Sequence, residues 1–246
     1  MLRTGRVVGL PVTVDSTENI AEKIVREANM GRGGYVCVAN VHMVTTATRD
    51  ERLHQIMEEA DIVTADGLPL VWVLRQKGYR FAERVTGTDL TLELCRIAEK
   101  DNMSVYFYGG SVETIEKLKT YISQRFPSLN SFFESPPILS QNPKVDMEVV
   151  SRIKESGARI VFVGLGCPKQ EYWMAAYKPY LSSVSIGVGA VFDFLSGTCQ
   201  RAPVWMQRLG LEWFHRLATQ PGRTWKRYAI TNPVFVWLVL KEWLKL

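Results

Sequence analysis

Residues 159–171 read RIVFVGLGCPKQE: an apolar run, two glycines, a proline, then polar residues that open a helical pattern. The run 159–164 is apolar on both faces, as expected of a parallel strand covered by helices on each side. Four further runs share this character: 35–39 (YVCVA), 61–64 (DIVT), 104–108 (SVYFY) and 183–188 (SVSIGV). Helical patterns lie between them, at 17–30, 45–57, 70–77, 90–100, 112–126 and 146–156. This alternation predicts an α/β, Rossmann-like fold with a mainly parallel sheet and helices on both faces. In such folds ligands bind beyond the carboxyl ends of the strands. The stretch 135–144 (SPPILSQNPK) reads as a surface loop, and no internal repeat is present.

With 246 residues, 46% apolar and 22% charged, the chain can bury a sizeable core and is not of disordered composition. Cys37, Cys95, Cys167 and Cys199 form no CxxC pair or zinc-type cluster, and His42, His54 and His215 are too dispersed for a metal site. Unpaired thiols and a start lacking an export-type apolar stretch point to a cytoplasmic setting. The charge is unevenly placed. Residues 201–246 hold eight of the 30 Lys and Arg and two of the 25 acids, leaving 22 against 23 in residues 1–200. The same tail holds five of the seven tryptophans: Trp205, Trp213, Trp225, Trp237 and Trp243. The sequence therefore divides into a near-neutral body, 1–200, and a basic, Trp-rich helical appendage, 201–246, with helix breaks expected at Pro221-Gly222 and Asn232-Pro233.

The appendage's apolar run, 234–240, has seven residues, whereas a spanning helix needs about 20. Basic residues interleaved with Trp and Leu suit segments lying among lipid headgroups, so peripheral attachment to an anionic membrane surface, on its inner face, is expected. The other reading is that these aromatics pack on the body or on a second copy, as a homo-oligomer. Nucleic acid is a poor partner, because the tryptophans sit among leucines and valines rather than polar contacts.

The strand ends carry the chemistry. Asn40 follows the first run and suits either a ligand contact or a helix cap. Asp66-Gly67 follows the second. A carboxylate there can take the proton of an attacking hydroxyl, but it also suits a cap or a metal. Gly109-Gly110 follows the third, where N–H groups at a helix start can face a phosphate; a plain tight turn is equally consistent. After the fourth come Gly166, Cys167, Lys169, Gln170 and Glu171. Gln170 suits a sugar hydroxyl or phosphate oxygen, Lys169 suits diphosphate charge, and Cys167 reads as a packed thiol. Gly187 and Gly189 close the fifth strand. Thr86 to Asp89 reads as an N-cap box or part of an acceptor site. Two functions of other classes fit parts of the pattern: a nicotinamide-dependent oxidoreductase, which lacks the full glycine fingerprint, and a non-catalytic membrane adaptor, which leaves the polar strand ends unexplained.

Together these pieces resemble the WecG/TagA/CpsF family of bacterial glycosyltransferases. The matching residues run in order: Asn40; Ala65-Asp66-Gly67; Arg84 through Thr88 and Asp89; Gly109-Gly110; Gly166 through Glu171; Gly187 to Gly189 with Asp193; Arg201-Ala202-Pro203; and Leu211-Glu212-Trp213. The resemblance spans roughly residues 7–230. It implies an inverting enzyme that uses a UDP-sugar as donor, without cofactor or bound metal, and a polyprenyl-diphosphate-linked sugar as acceptor, in cell-surface polysaccharide or teichoic acid synthesis. It places the general base on Asp66 and the active-site amides on Asn40 and Gln170. Gly67, Arg84, Thr88, Asp89, Gly109, Gly110, Gly166, Lys169, Gly187, Gly189, Asp193, Arg201 and Arg216 then bind substrate. The appendage is expected to bring arginines such as Arg216 and Arg223 to the site. Where the family often has Thr, two residues before Asn40, this chain has Val38, which leaves the particular sugar open.

Overall fold

The computed structural model of the protein describes residues 3–244 apart from Asn142, and Arg223 by its backbone only. The central sheet has six parallel strands: β3 (Gly34–Ala39), β4 (Ile62–Ala65), β5 (Val105–Gly109), β6 (Ser131–Glu134), β7 (Ile160–Gly164) and β8 (Val184–Gly187), in the order β4-β3-β8-β7-β5-β6. Side chains alternate across it with the two-residue period of a strand. Tyr35, Cys37, Tyr106, Tyr108, Val161 and Val163 enter one apolar cluster. Val36, Val38, Val105, Phe107, Ile160 and Phe162 enter the other. Both faces are therefore dry, which is why the strands read as continuous apolar runs.

Helices α1 (Thr17–Asn29), α5 (Gly87–Lys100) and α6 (Val112–Arg125) contribute to the second cluster; α2 (Val41–Ala47), α3 (Glu51–Glu58), α4 (Leu68–Gln76), α7 (Met147–Glu155) and α8 (Lys169–Tyr177) contribute to the first. The expected single helix over 45–57 is two, α2 and α3. Asp50 breaks it: its carboxylate accepts the Leu53 N–H at 3.0 Å and so starts α3 afresh. Segment 135–144 carries no helix or strand at its described residues.

Two elements escape the apolar-run reading. An antiparallel hairpin, β1 (Arg3–Val7) with β2 (Leu10–Val14), turns through Val8 and Gly9 at φ 51° and 79°, the positive-φ pair that matches strand twist. It buries Val7, Leu10 and Val12 in the first cluster. The edge strand β6 is only partly buried.

Beyond Gln200 the chain forms α9's successors: α9 (Val191–Leu195) closes the body, then come α10 (Val204–Arg208), α11 (Glu212–Thr219) and α12 (Pro221–Leu244). The helix does begin at Pro221, but it runs unbroken through Pro233. An interior proline costs about 3 kcal/mol, yet Phe235 and Val239, within the next two turns, are buried in the core, where α12 packs on α2. Each such burial is worth about 1.5–3 kcal/mol, so packing offsets the break. Glu242 adds a tie from the far end of α12, receiving Lys77 at 2.7 Å. Among the described residues no helix is long and apolar enough to cross a membrane.

Candidate functional site

The carboxyl ends of β3, β4, β5, β7 and β8 open into one polar cleft of about 890 Å³. Its floor is built by glycines. Gly109 adopts φ +129°, and a Cβ there would lie 2.6 Å from the Gly164 carbonyl, so only glycine lets β5 and β7 end so close together. Gly187 likewise leaves room for Gln170, whose amide nitrogen would be 2.9 Å from a Cβ at 187. Gln170 is 3% exposed; its Oε1 accepts the Gly166 N–H at 3.1 Å and its Nε2 donates to Glu171 Oε1 at 2.8 Å. Glu171 is fully buried, and burial pushes its carboxyl up to about 7.

Asn40 caps α2, accepting the Met43 N–H at 3.2 Å, and also lines the cleft. Asp66 leaves the end of β4 with its own N–H bonded to Ala39 O at 2.8 Å, which fixes it beside Asn40. Arg84 reaches it from the segment before α5: Nη2 lies 3.7 Å from Asp66 Oδ1, and Nε donates to the Asp66 carbonyl. Burial raises the Asp66 carboxyl above its ordinary range against the opposing pull of Arg84, while Glu212 adds to the rise and Arg216 and Arg201 oppose it. The result is a carboxylate with proton affinity above that of a free aspartate, which suits a base.

The appendage completes the surroundings. Glu212 Oε2 accepts from Arg84 Nη2 at 2.7 Å, and Glu212 Oε1 lies 3.9 Å from Arg216 Nη2. Arg201 donates to Thr86 Oγ1 and pairs with Asp89 Oδ1, both at 3.3 Å. Buried Nε atoms of Arg201 and Arg227 have no hydrogen-bond partner among the described residues, so the site offers donors that an anion can satisfy. On the other side of Asp66 lies a second cleft of about 670 Å³, walled by Leu68, Trp72 and Val73 of α4 and by Phe235, Val236 and Leu240 of α12. Asn40, Asp66, Glu212, Arg216 and Arg227 line both clefts. Asp66 therefore stands where a polar chamber meets an apolar one.

Of the residues expected from sequence, Asn40, Asp66, Thr88, Gly110, Gly166, Gln170, Gly187, Gly189, Asp193, Arg201 and Arg216 line the polar cleft. Gly67 and Arg84 line the apolar one. Gly109 lies beneath the floor. Asp89 is engaged with Arg201, and Lys169 is turned to the loop after β6, where Nζ donates to Leu139 O at 2.8 Å. The Arg223 side chain lies outside the described residues. Val38 lines the cleft where the family often has Thr. Cys167 is partly buried and its thiol is pushed well up, first by burial and then by the Glu171 charge, in keeping with a packed thiol. Among the described residues no three or more His, Cys, Asp or Glu side chains group as metal ligands.

Sequence reasoning missed the placement of Glu212, Arg227 and His42. Burial, with Arg227 nearby, lowers the His42 imidazole to about 4, so it stays neutral in the apolar cleft. Glu212 belonged to a quoted motif, but nothing in its spacing tells that it reaches Arg84 across 128 residues.

Comparison with known proteins bears on the whole chain. The family described as "Glycosyl transferase WecG/TagA/CpsF family" matches residues 5–246. An N-acetylglucosaminyldiphosphoundecaprenol N-acetyl-beta-D-mannosaminyltransferase of Bacillus subtilis (strain 168) is 31% identical over 85% of this chain and 80% of its own length. Enzymes of the same name from Bacillus spizizenii and Staphylococcus aureus (strain NCTC 8325) are 31% and 28% identical, over 87% and 84% of this chain and 81% and 80% of theirs. These matches decide against an oxidoreductase and against a non-catalytic adaptor. With its parallel-stranded cleft, its carboxylate at the end of β4 and a family match from the first hairpin through α12, the chain belongs to the WecG/TagA/CpsF family of glycosyltransferases.

Proposed function

We propose that the protein moves an N-acetylhexosamine or hexose from a UDP-sugar to a polyprenyl-diphosphate-linked sugar, inverting the anomeric centre. The single observation that carries this reading is the meeting of a polar and an apolar cleft at one carboxylate, Asp66. A nucleotide sugar fits the polar, glycine-floored side, where N–H groups and helix starts suit phosphate. A lipid-linked acceptor fits the side walled by α4 and α12. The relatives' names, which specify a diphosphoundecaprenol acceptor and a β-linked mannosaminyl product, agree with both assignments.

The chemistry is one in-line displacement. The acceptor hydroxyl oxygen attacks the anomeric carbon as Asp66 takes its proton. The carbon–oxygen bond to UDP breaks, and the electron pair leaves with the diphosphate. Base assistance of this kind contributes about 10²–10⁴-fold. The departing diphosphate gains charge, which Arg201, Arg216 and Arg227 in the cleft lining are placed to meet. No cofactor is required by this scheme. Replacing Asp66 by Asn keeps the shape and removes the base. Turnover should fall at least a hundredfold, on the scale of a lost general base, while UDP still binds. A D66N protein with near-normal turnover would remove Asp66 from the mechanism.

The exposed Trp205, Trp225 and Trp237, set among the appendage's cations, support attachment to the inner face of a membrane. The apolar cleft runs beneath that same appendage, so a lipid-linked acceptor would reach Asp66 without leaving the bilayer surface.

A further inference from the structure

Among the described residues Arg84 is the one cation that hydrogen-bonds Asp66, and its guanidinium is divided between two acids. Nη2 is 2.7 Å from Glu212 Oε2 but 3.7 Å from Asp66 Oδ1, so the shorter contact goes to the appendage, not to the base. Nη1 is committed to the Gln207 carbonyl at 3.4 Å, also in the appendage. All three side chains are largely shielded: Arg84 is 19% exposed, Glu212 16% and Asp66 27%. In such surroundings the choice of partner matters, because an Arg–carboxylate pair lowers the acid's proton affinity and occupies its lone pairs.

We infer that Glu212 is a positioning residue for the base: it holds the Arg84 guanidinium toward α11 and so keeps the long Arg84–Asp66 contact from closing into a hydrogen-bonded ion pair. The inference rests on the proposed role of Asp66. It makes a docked appendage part of the catalytic apparatus, since the acid that frees the base comes from α11. Without Glu212, Arg84 can swing fully onto Asp66, and a carboxylate locked in that pair is a weaker base.

The charged groups facing Asp66 are few enough for the test to be read. Among the described residues they are Arg84 from the segment before α5, Glu212 and Arg216 from α11, Arg201 from the segment before α10, and Arg227 from α12. Of the two acids Glu212 opposes the arginines, in line with its effect in raising the Asp66 carboxyl.

The experiment is the pH dependence of kcat/KM with UDP-sugar and a prenyl-diphosphate sugar acceptor, for full-length wild type, E212Q, E212D, R84Q and D66N. Thermal unfolding and UDP titration establish that each variant is folded. In E212Q the acidic limb should move to lower pH by about half a pH unit or more, the scale on which a neighbouring charge perturbs a carboxyl. The plateau should fall by roughly three- to tenfold as the base weakens. E212D keeps the charge and should return the limb toward its wild-type position. R84Q removes the competing cation and should move the limb the other way, which keeps the test open even if E212Q folds poorly. An E212Q rate that falls equally at every pH, with the limb unmoved, would reduce Glu212 to a tether and overturn the inference. Loss as complete as in D66N would also overturn it, by making Glu212 itself indispensable to the chemistry. An active D66N would instead refute the base assignment on which it stands, so the two failures are distinguishable.

Discussion

Glu171 gives the sharpest quantitative consequence of the fold. It is fully buried at the start of α8, its Oε1 accepts from Gln170, and its Oε2 has no hydrogen-bond partner among the described residues. Burial raises its pKa from 4.5 to about 7, with the Gln170 contact opposing. A carboxyl raised on folding is most compatible with the native state when protonated in both states, below pH 4.5. As pH rises toward 7 the unfolded chain releases its proton while the native chain holds it, and stability falls. Above 7 both are ionised and the loss is complete. At about 1.4 kcal/mol per pH unit the loss totals about 3 kcal/mol, nearly all of it between pH 4.5 and 7. Gln at this position has the same shape and cannot ionise. Other groups titrate in the same window, so the informative quantity is the difference between E171Q and wild type. For a chain of this size about 3 kcal/mol corresponds to roughly 6–12 °C. Calorimetric Tm curves from pH 5 to 8 should therefore diverge, with E171Q gaining several degrees on wild type as pH rises. Parallel curves would show that Glu171 is not a buried acid of raised pKa and that the reasoning is wrong.

Three further outcomes follow from the geometry. Gly109→Ala meets both a positive φ and the Gly164 backbone at 2.6 Å, and should lower stability by about 2–5 kcal/mol; Gly166→Ala, with φ +79° but open space around it, should cost only about 1 kcal/mol, and equal losses in urea unfolding would refute the distinction. Lys169→Ala should leave the calorimetric affinity for UDP within about twofold, since its Nζ is held by Leu139 O and neither residue lines the cleft; a tenfold loss would bring that ammonium to the diphosphate. Removing residues 204–246 should abolish sedimentation with vesicles containing anionic lipid, whereas undiminished binding would refute membrane attachment through the appendage, and concentration-dependent self-association of the full chain without vesicle binding would assign the exposed tryptophans to a second copy.

The parallel core was legible because its strands are dry on both faces. Runs such as 159–164 have one plausible home, and the glycines that follow them mark where strands end and ligands enter. The hairpin β1–β2 was not, since Arg3, Thr4 and Arg6 interrupt its apolar residues and its turn at Val8-Gly9 lacks the usual Asn-Gly signal. Nor was the split of 45–57, where a three-residue break at Thr48 to Asp50 hides inside a helical pattern. Pro233 misled for a different reason: local propensity is a matter of about 3 kcal/mol, and burial of the next two turns on α2 exceeds it.

The same division applies to the site. Residues that leave a strand on a short loop, Asn40, Asp66 and Gln170, are placed by topology alone, so adjacency in the sheet brings them together. Residues that arrive from the appendage are placed by tertiary docking, which no local pattern encodes. Arg84 joins the two classes. It leaves a loop whose neighbour Val85 bonds to the end of β4, its N–H reaching Ala65 O at 3.0 Å, so its backbone is fixed by the sheet while its guanidinium is held by α11. A basic tail rich in tryptophan suggested a membrane anchor that also brings arginines to the site, but not that it brings an acid, Glu212, onto Arg84. With α12 buried against α2 and Glu212 on Arg84, the appendage cannot leave the body without changing the electrostatics of Asp66. Catalysis then depends on that docking event, and a protein in which the contact is lost should be a slower enzyme even toward a soluble acceptor.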